Sequence, residues 1–210
     1  MRRHLTGTAY VGVLLLLTAV FAGAQDQPKK KAETNEKAPN YYPIEVGNTW
    51  YYRVDANGKK VNVSSSITEV EQLDGVKSHK LQSLQNEQMH EHLKRTDKGL
   101  FRHRANGNEV TPAFMLLPAS PKVGAKWAGE FSVAGEKGIN KFSAEIQKEE
   151  TIEVPAGKFK TLRVLIKLDA NGNKVDSVYW FAKDVGFVKQ RVDLKDTVIL
   201  LELEKFERKK

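Results

Sequence analysis

Five histidines are the residues with the most obvious capacity for chemistry. His90 and His92 are two apart, so on a strand they share a face. His103 follows across a predicted turn at Asp97–Gly99, and His79 lies one predicted strand earlier. Imidazoles on paired strands approach closely enough to hold zinc or copper, which makes His90, His92 and His103 the candidate metal set. The competing reading is a row of half-exposed strand residues among Glu91, Lys94, Arg102 and Arg104. His90-Glu91-His92 is not the H-E-x-x-H of a metallohydrolase. The acidic pairs Glu149/Glu150 and Glu202/Glu204 lie opposite apolar strand faces, where solvent explains them better than a glycosidase cleft. Ser64-Ser65-Ser66 falls inside a strand, and neither G-x-S-x-G nor S-x-x-K occurs. No catalytic residue, cofactor or phosphate-cradling loop is predicted, and the chain reads as a non-enzyme.

Aromatic residues offer a different kind of chemistry. Trp50, Tyr52, Trp127, Phe142 and Trp180, with Phe181, are candidates to line a cavity for a lipid or another hydrophobic ligand. The alternative is that they fill the core.

The elements that must position these residues read as strands. Thr49–Val54 (TWYYRV) ends at Asp55-Ala56-Asn57-Gly58, a hairpin signal. Val61, Val63, Ser65 and Ile67 alternate with polar neighbours, as do Phe142, Ala144 and Ile146, and Leu162, Val164, Ile166 and Leu168. Val178 and Trp180 are expected on one face, Tyr179 and Phe181 on the other, and Ile199, Leu201 and Leu203 close the series. About ten strands with turn signals every 8–12 residues or so predict an all-β domain. The expected architecture is one antiparallel, strongly curved sheet, a half-open barrel, with a closed barrel or a sandwich as alternatives. The best helix candidate is short, Ala113–Leu117 between Pro112 and Pro118. Two local echoes, VGNTW at Val46 with VGAKW at Val123, and DANGKKV at Asp55 with DANGNKV at Asp169, have different offsets, so they read as repeated local solutions and not as a duplication.

Three further runs, Tyr42–Tyr52 (YPIEVGNTWYY), Val154–Thr161 (VPAGKFKT) and Tyr179–Lys189 (YWFAKDVGFVK), resemble the marks of a group of uncharacterised exported bacterial proteins. That resemblance implies a curved or half-closed antiparallel sheet, similar in outline to the periplasmic lipoprotein carriers LolA and LolB. It carries over no functional residue.

Ahead of this domain stand the parts of an export signal. Arg2-Arg3 forms a positive start, Ala9–Phe21 a 13-residue apolar core, and Ala22-Gly23-Ala24 a small-residue cleavage site, with cleavage expected after Ala24. The apolar run is too short for a comfortable membrane anchor, so no transmembrane span is expected after cleavage. Residues 1–24 are therefore read as signal peptide, 25–40 as a disordered polar tether, and 41–210 as a single β domain. There is no cysteine, which excludes a lipobox and any disulfide framework. The expected location is exported, periplasmic or extracellular, and soluble. The net charge of +8 is dispersed, with short basic runs at Lys29-Lys30-Lys31 and Arg208-Lys209-Lys210. No nucleic-acid-binding module accompanies it. The function expected is a binding or carrier module for an apolar or amphiphilic ligand in the cell envelope; an envelope scaffold that meets another protein is the alternative.

Overall fold

The computed structural model describes residues 40–209; the expected signal peptide and all of the tether but Asn40 lie outside the described residues. Twelve strands follow one another: β1 (Thr49–Ala56), β2 (Lys59–Leu73), β3 (Val76–Ser83), β4 (His90–Arg95), β5 (Gly99–Ala105), β6 (Asn108–Pro118), β7 (Lys126–Val133), β8 (Asn140–Val154), β9 (Gly157–Ala170), β10 (Asn173–Ala182), β11 (Gly186–Asp193) and β12 (Val198–Glu207). Each runs antiparallel to the next, and β12 returns to pair with β1, giving a closed barrel.

The expected half-open barrel is thereby corrected. Thr49 lies opposite Glu207 and Ala56 opposite Ile199, so the first and last strands pair along the whole of β1. An open sheet would leave two edges of unpaired N–H and C=O groups, and closure removes both. The alternation of apolar and polar residues is the same in an open and a closed sheet, so sequence pattern alone does not separate them. The helix candidate Ala113–Leu117 is also overturned, since it lies within β6. Its prolines are tolerated there because β6 is in ladder register with β7 only at Val110 with Val133 and Thr111 with Ser132.

Turn chemistry explains the hairpins. Asn57-Gly58, Asp74-Gly75, Asn106-Gly107 and Asn171-Gly172 all place both central residues at positive φ, from 49° to 87°. That is the turn whose twist matches a right-handed strand pair. In both DANG copies the aspartate accepts from the glycine N–H, Asp55 from Gly58 at 2.7 Å and Asp169 from Gly172 at 2.8 Å. The other echo makes the same pair of backbone bonds to a neighbouring strand in both copies. Gly47 N–H donates to Ile67 O and Ile67 N–H to Asn48 O, while Gly124 N–H donates to Ile146 O and Ile146 N–H to Ala125 O.

A barrel of about eight strands is just filled by its own side chains, and twelve strands enclose more. Here the space is taken by large aromatics and by a strap, Asn40–Asn48, which packs Tyr42 and Ile44 into the core. The strap is tied down at several points. Asp184 N–H donates to Asn40 O at 2.6 Å, Arg95 donates to Asn40 Oδ1 and Tyr42 O, and buried Asn48 receives Lys209 N–H and donates to Pro43 O.

The outer face carries cross-strand ion pairs such as Lys126–Glu145 (3.3 Å), Lys160–Glu149 (2.7 Å) and Lys167–Asp176 (3.5 Å). Charge outside and aromatics inside is the reverse of a membrane-spanning barrel, whose outward band is apolar.

Candidate functional site

β1 turns Trp50 and Tyr52 into the lumen because they occupy alternate positions of one strand. Their polar atoms are matched by backbone: Trp50 Nε1 donates to Val185 O (2.6 Å) and Tyr52 Oη to Phe187 O (2.9 Å). Tyr42 stacks on Trp50 at 5.4 Å and on Phe187 at 6.0 Å, and Tyr52 stacks on Phe187 at 4.9 Å. Gly186, at φ 106°, makes this packing geometrically feasible. A Cβ there would sit 3.2 Å from the Tyr42 ring and 3.3 Å from Trp50 Nε1. The glycine of the KDVGFVK run is thus a close-approach residue.

Against this aromatic wall lies a buried ion pair. Arg102 Nη2 is 2.6 Å from Glu91 Oε1, with the two residues 8% and 3% exposed. Glu91 on β4 lies opposite Leu81 and Ala105, and Arg102 on β5 lies opposite Leu93 and Phe114, all on the inward face. The guanidinium sits 5.6 Å over the Phe114 ring, and its Nε has no protein partner. Burial pushes the Glu91 carboxyl up, more than Arg102 pulls it down. Burial also works against the Arg102 charge, but Glu91 and Tyr179 hold its proton on. Tyr179 is pushed up to about 12 by burial, against the pull of Arg102 and with help from Glu91. Tyr42 and Tyr52 are raised too, both chiefly by burial.

Between wall and ion pair is a recess of about 60 Å³, bounded by Tyr42, Trp50, Tyr52, Glu91, Arg102 and Tyr179 together with Leu81, Met89 and Leu116. Gln190, the cross-strand partner of Tyr179, is 1% exposed and neither side-chain amide atom has a protein partner. A buried polar atom without a partner costs about 1–3 kcal/mol, so the lumen carries polar capacity that its own packing does not use. With Glu91 engaged by Arg102, the arrangement offers hydrogen-bond donors, the Gln190 amide oxygen as an acceptor, and apolar surface. Binding is what such a set can do.

The structure divides the sequence-predicted cavity residues. Trp50 and Tyr52 line the recess. Phe142 does not, because it packs against Phe114 (4.6 Å) and Phe131 (6.0 Å) and fills another part of the lumen. Trp127 lies at the sparsely paired β6–β7 seam, where its Nε1 donates to Met115 O (3.0 Å). Trp180 is cross-strand partner to Arg163 and Lys189, its Nε1 donates to Glu150 Oε1 (2.9 Å), and both cations lie over its ring. The three tryptophans therefore do not surround one void. Glu91, Arg102, Tyr42, Tyr179 and Gln190 were missed. A signal existed: Met89, Glu91 and Leu93 alternate, and Leu100 and Arg102 alternate, which places opposite charges at apolar-phase positions of consecutive strands.

The candidate metal histidines are neighbours on the outward face of β4 and β5, where His92 and His103 are nonetheless buried. The His90 and His92 rings are 5.4 Å apart, and His92 and His103 are 6.1 Å apart. One nitrogen of each ring is occupied, His92 Nε2 by Glu71 Oε2 (3.0 Å), His103 Nε2 by Ser78 Oγ, and His90 Nδ1 by Glu87 O (3.2 Å), while His92 Nδ1 is buried without a partner. His103 is the extra residue of a bulge in β5, which turns it outward beside His92. Burial, with His92, Lys94 and Arg104 adding to it, pushes His103 down to about 4. His79 lies opposite Leu93, apart from this group. Among the described residues no set of three or more His, Cys, Asp or Glu is arranged to hold a metal ion. The acidic pairs belong to surface ion pairs: Glu149 with Lys160, Glu150 with Lys148, and Glu202 with Arg53 and Lys189.

Three solved structures are similar in outline. A Bacteroides fragilis protein, named as exported and with a YmcC-like fold, has a TM-score of 0.48 at 13% identity, covering 81% of this chain and 100% of its own. A Parabacteroides distasonis protein named as a lipoprotein gives 0.46 at 14%, with 82% and 100% covered. The hypothetical lipoprotein YmcC of Escherichia coli gives 0.40 at 14%, with 77% and 85% covered. No curated protein matches the sequence. The family described as "Protein of unknown function (DUF3108)" matches residues 85–200, more than half of the chain, and the protein belongs to that family.

Proposed function

We propose that this protein is a non-enzymatic binding module of the cell envelope that holds an amphiphile inside its barrel. The observation that carries this reading is the recess of about 60 Å³ between an aromatic wall and the buried Glu91–Arg102 pair. One side offers apolar surface and the other unsatisfied donors, which is the complement of a molecule with a polar head and an apolar body. The envelope address rests on the export features of Arg2–Ala24. The charged exterior suits a barrel surrounded by water, with its ligand inside.

The recess is smaller than the roughly 300–1,000 Å³ of drug-sized sites. It admits a head group as it stands, and the body of a ligand requires Leu81, Met89 and Leu116 to turn aside; methionine adapts readily to this. The small volume, together with the packed Phe114, Phe131 and Phe142 trio, also supports a second reading, a filled barrel acting as an envelope scaffold.

Native mass spectrometry of the purified protein, followed by organic extraction, separates the two. The binding reading expects an adduct of one amphiphile per chain that survives gentle ionisation and appears in the extract. A bare mass, together with failure to take up a hydrophobic dye, would overturn it in favour of the scaffold.

A further inference from the structure

We propose that the lumen recognises an anionic head group, the carboxylate of a single-chain amphiphile seated on Arg102, with its chain along the aromatic wall. This rests on the reading of the barrel interior as a binding site and names the ligand class for it. A guanidinium has five N–H donors in a planar fork that matches a carboxylate. Glu91 engages Arg102 through Nη2, and the buried Nε has no protein partner. Tyr42 and Tyr179 bound the same recess, and their hydroxyls stay protonated. Gln190, opposite Tyr179 and outside the recess lining, has one unpartnered donor group and one unpartnered acceptor, so it favours neither sign of head group. The one charged acceptor, Glu91, is already engaged. An incoming carboxylate finds donors, whereas a cationic head would find the guanidinium and no free carboxylate.

A second carboxylate also changes Glu91. It would share the guanidinium with the newcomer while remaining buried. The titratable and charged groups facing Glu91 are Arg102 from β5, Tyr42 from the strap and Tyr179 from β10, and its neighbour on β3 is the apolar Leu81. One positive charge among them does not balance two carboxylates in an apolar lumen. Glu91 therefore takes up a proton as the ligand anion binds, and the net charge of the site is conserved.

Calorimetric titration of the full chain with decanoate, decanol, decyltrimethylammonium and acetate tests this, in two buffers of different ionisation enthalpy near neutral pH. Decanoate should bind about tenfold or more tighter than decanol, the worth of one charge-assisted hydrogen bond. It should take up close to one proton per site, and the cation and acetate should bind far more weakly. Glu91→Gln should keep decanoate binding and lose the proton uptake. The paired Glu91→Gln/Arg102→Gln variant, which leaves no unpaired charge to compromise folding, should bind decanoate no better than decanol. Decanol or the cation matching decanoate, or the paired variant keeping the preference, would overturn the head-group assignment and leave the binding site standing. Acetate matching decanoate would overturn the amphiphile class. If no ten-carbon probe binds, the underlying reading fails with it.

Discussion

Replacing Arg102 by methionine leaves Glu91 as a buried carboxylate, 3% exposed, facing aromatic rings. Removing one member of a buried ion pair costs about 3–5 kcal/mol, because the remaining charge has lost both water and partner. A domain of this size is stable by about 5–15 kcal/mol, so Arg102→Met should lose about a fifth or more of its stability at neutral pH. Glu91→Leu/Arg102→Met, which removes both charges, should match the native protein or exceed its stability by about 1–4 kcal/mol. The pH dependence follows from the direction of the Glu91 shift. Its folded-state value lies above the ordinary 4.5, and losing Arg102 moves it higher still. A group raised on folding contributes stability that is fully present below its unfolded value and lost as pH rises through its folded value. The deficit of Arg102→Met should thus be small in acid, where Glu91 is protonated folded or unfolded, and grow as pH rises. Urea denaturation followed by tryptophan emission across a pH series measures this. A single variant within about 1 kcal/mol of the native protein at neutral pH, or a deficit flat with pH, would refute the buried-pair account.

Gly172→Val should cost roughly 1–2 kcal/mol through backbone alone, since φ is 87° and nothing lies within 4 Å of the new Cβ. Gly186→Ala should cost more and shift Trp50 emission, because its Cβ meets Tyr42 and Trp50; equal losses at the two sites would count against the close-approach role. Hydrogen exchange should run faster at Ala113–Leu117 and Ala128–Phe131, along the seam, than in the β8–β9 hairpin. Trp127→Phe should speed it further by releasing Met115 O. By NMR, His103 should titrate near 4. Because that lies below its ordinary 6.5, His103 contributes stability that is lost as pH falls through the window between the two, and His103→Gln should flatten that loss.

Much of the frame was legible in the chain because its causes are local. Asn-Gly and Asp-Gly pairs specify their turn wherever they stand, and Asp55 and Asp169 cap theirs in the same way. Alternation sets which face of β8 and β9 is apolar, since successive side chains must point to opposite sides of a strand. Trp50 and Tyr52 were identifiable as lumen residues for that reason. The surroundings of Trp180 are not legible in this way, because they depend on strands brought beside it from elsewhere. Glu91 and Arg102 escape sequence reasoning because charge on a strand ordinarily means solvent. Their burial follows from a pairing between strands and from a strap that closes over them. Tyr42 enters the site through that strap, and Gln190 through its register with Tyr179.

Composition, turn residues and period-two patterning were therefore enough to determine an all-β chain with an apolar inner face, since each is decided within a few residues. Closure of the barrel, the aromatic wall and the ion pair beside it were decided only by tertiary structure. They depend on contacts such as Thr49 with Glu207 and Trp50 with Val185, more than a hundred residues apart, and no local preference encodes which distant strand arrives.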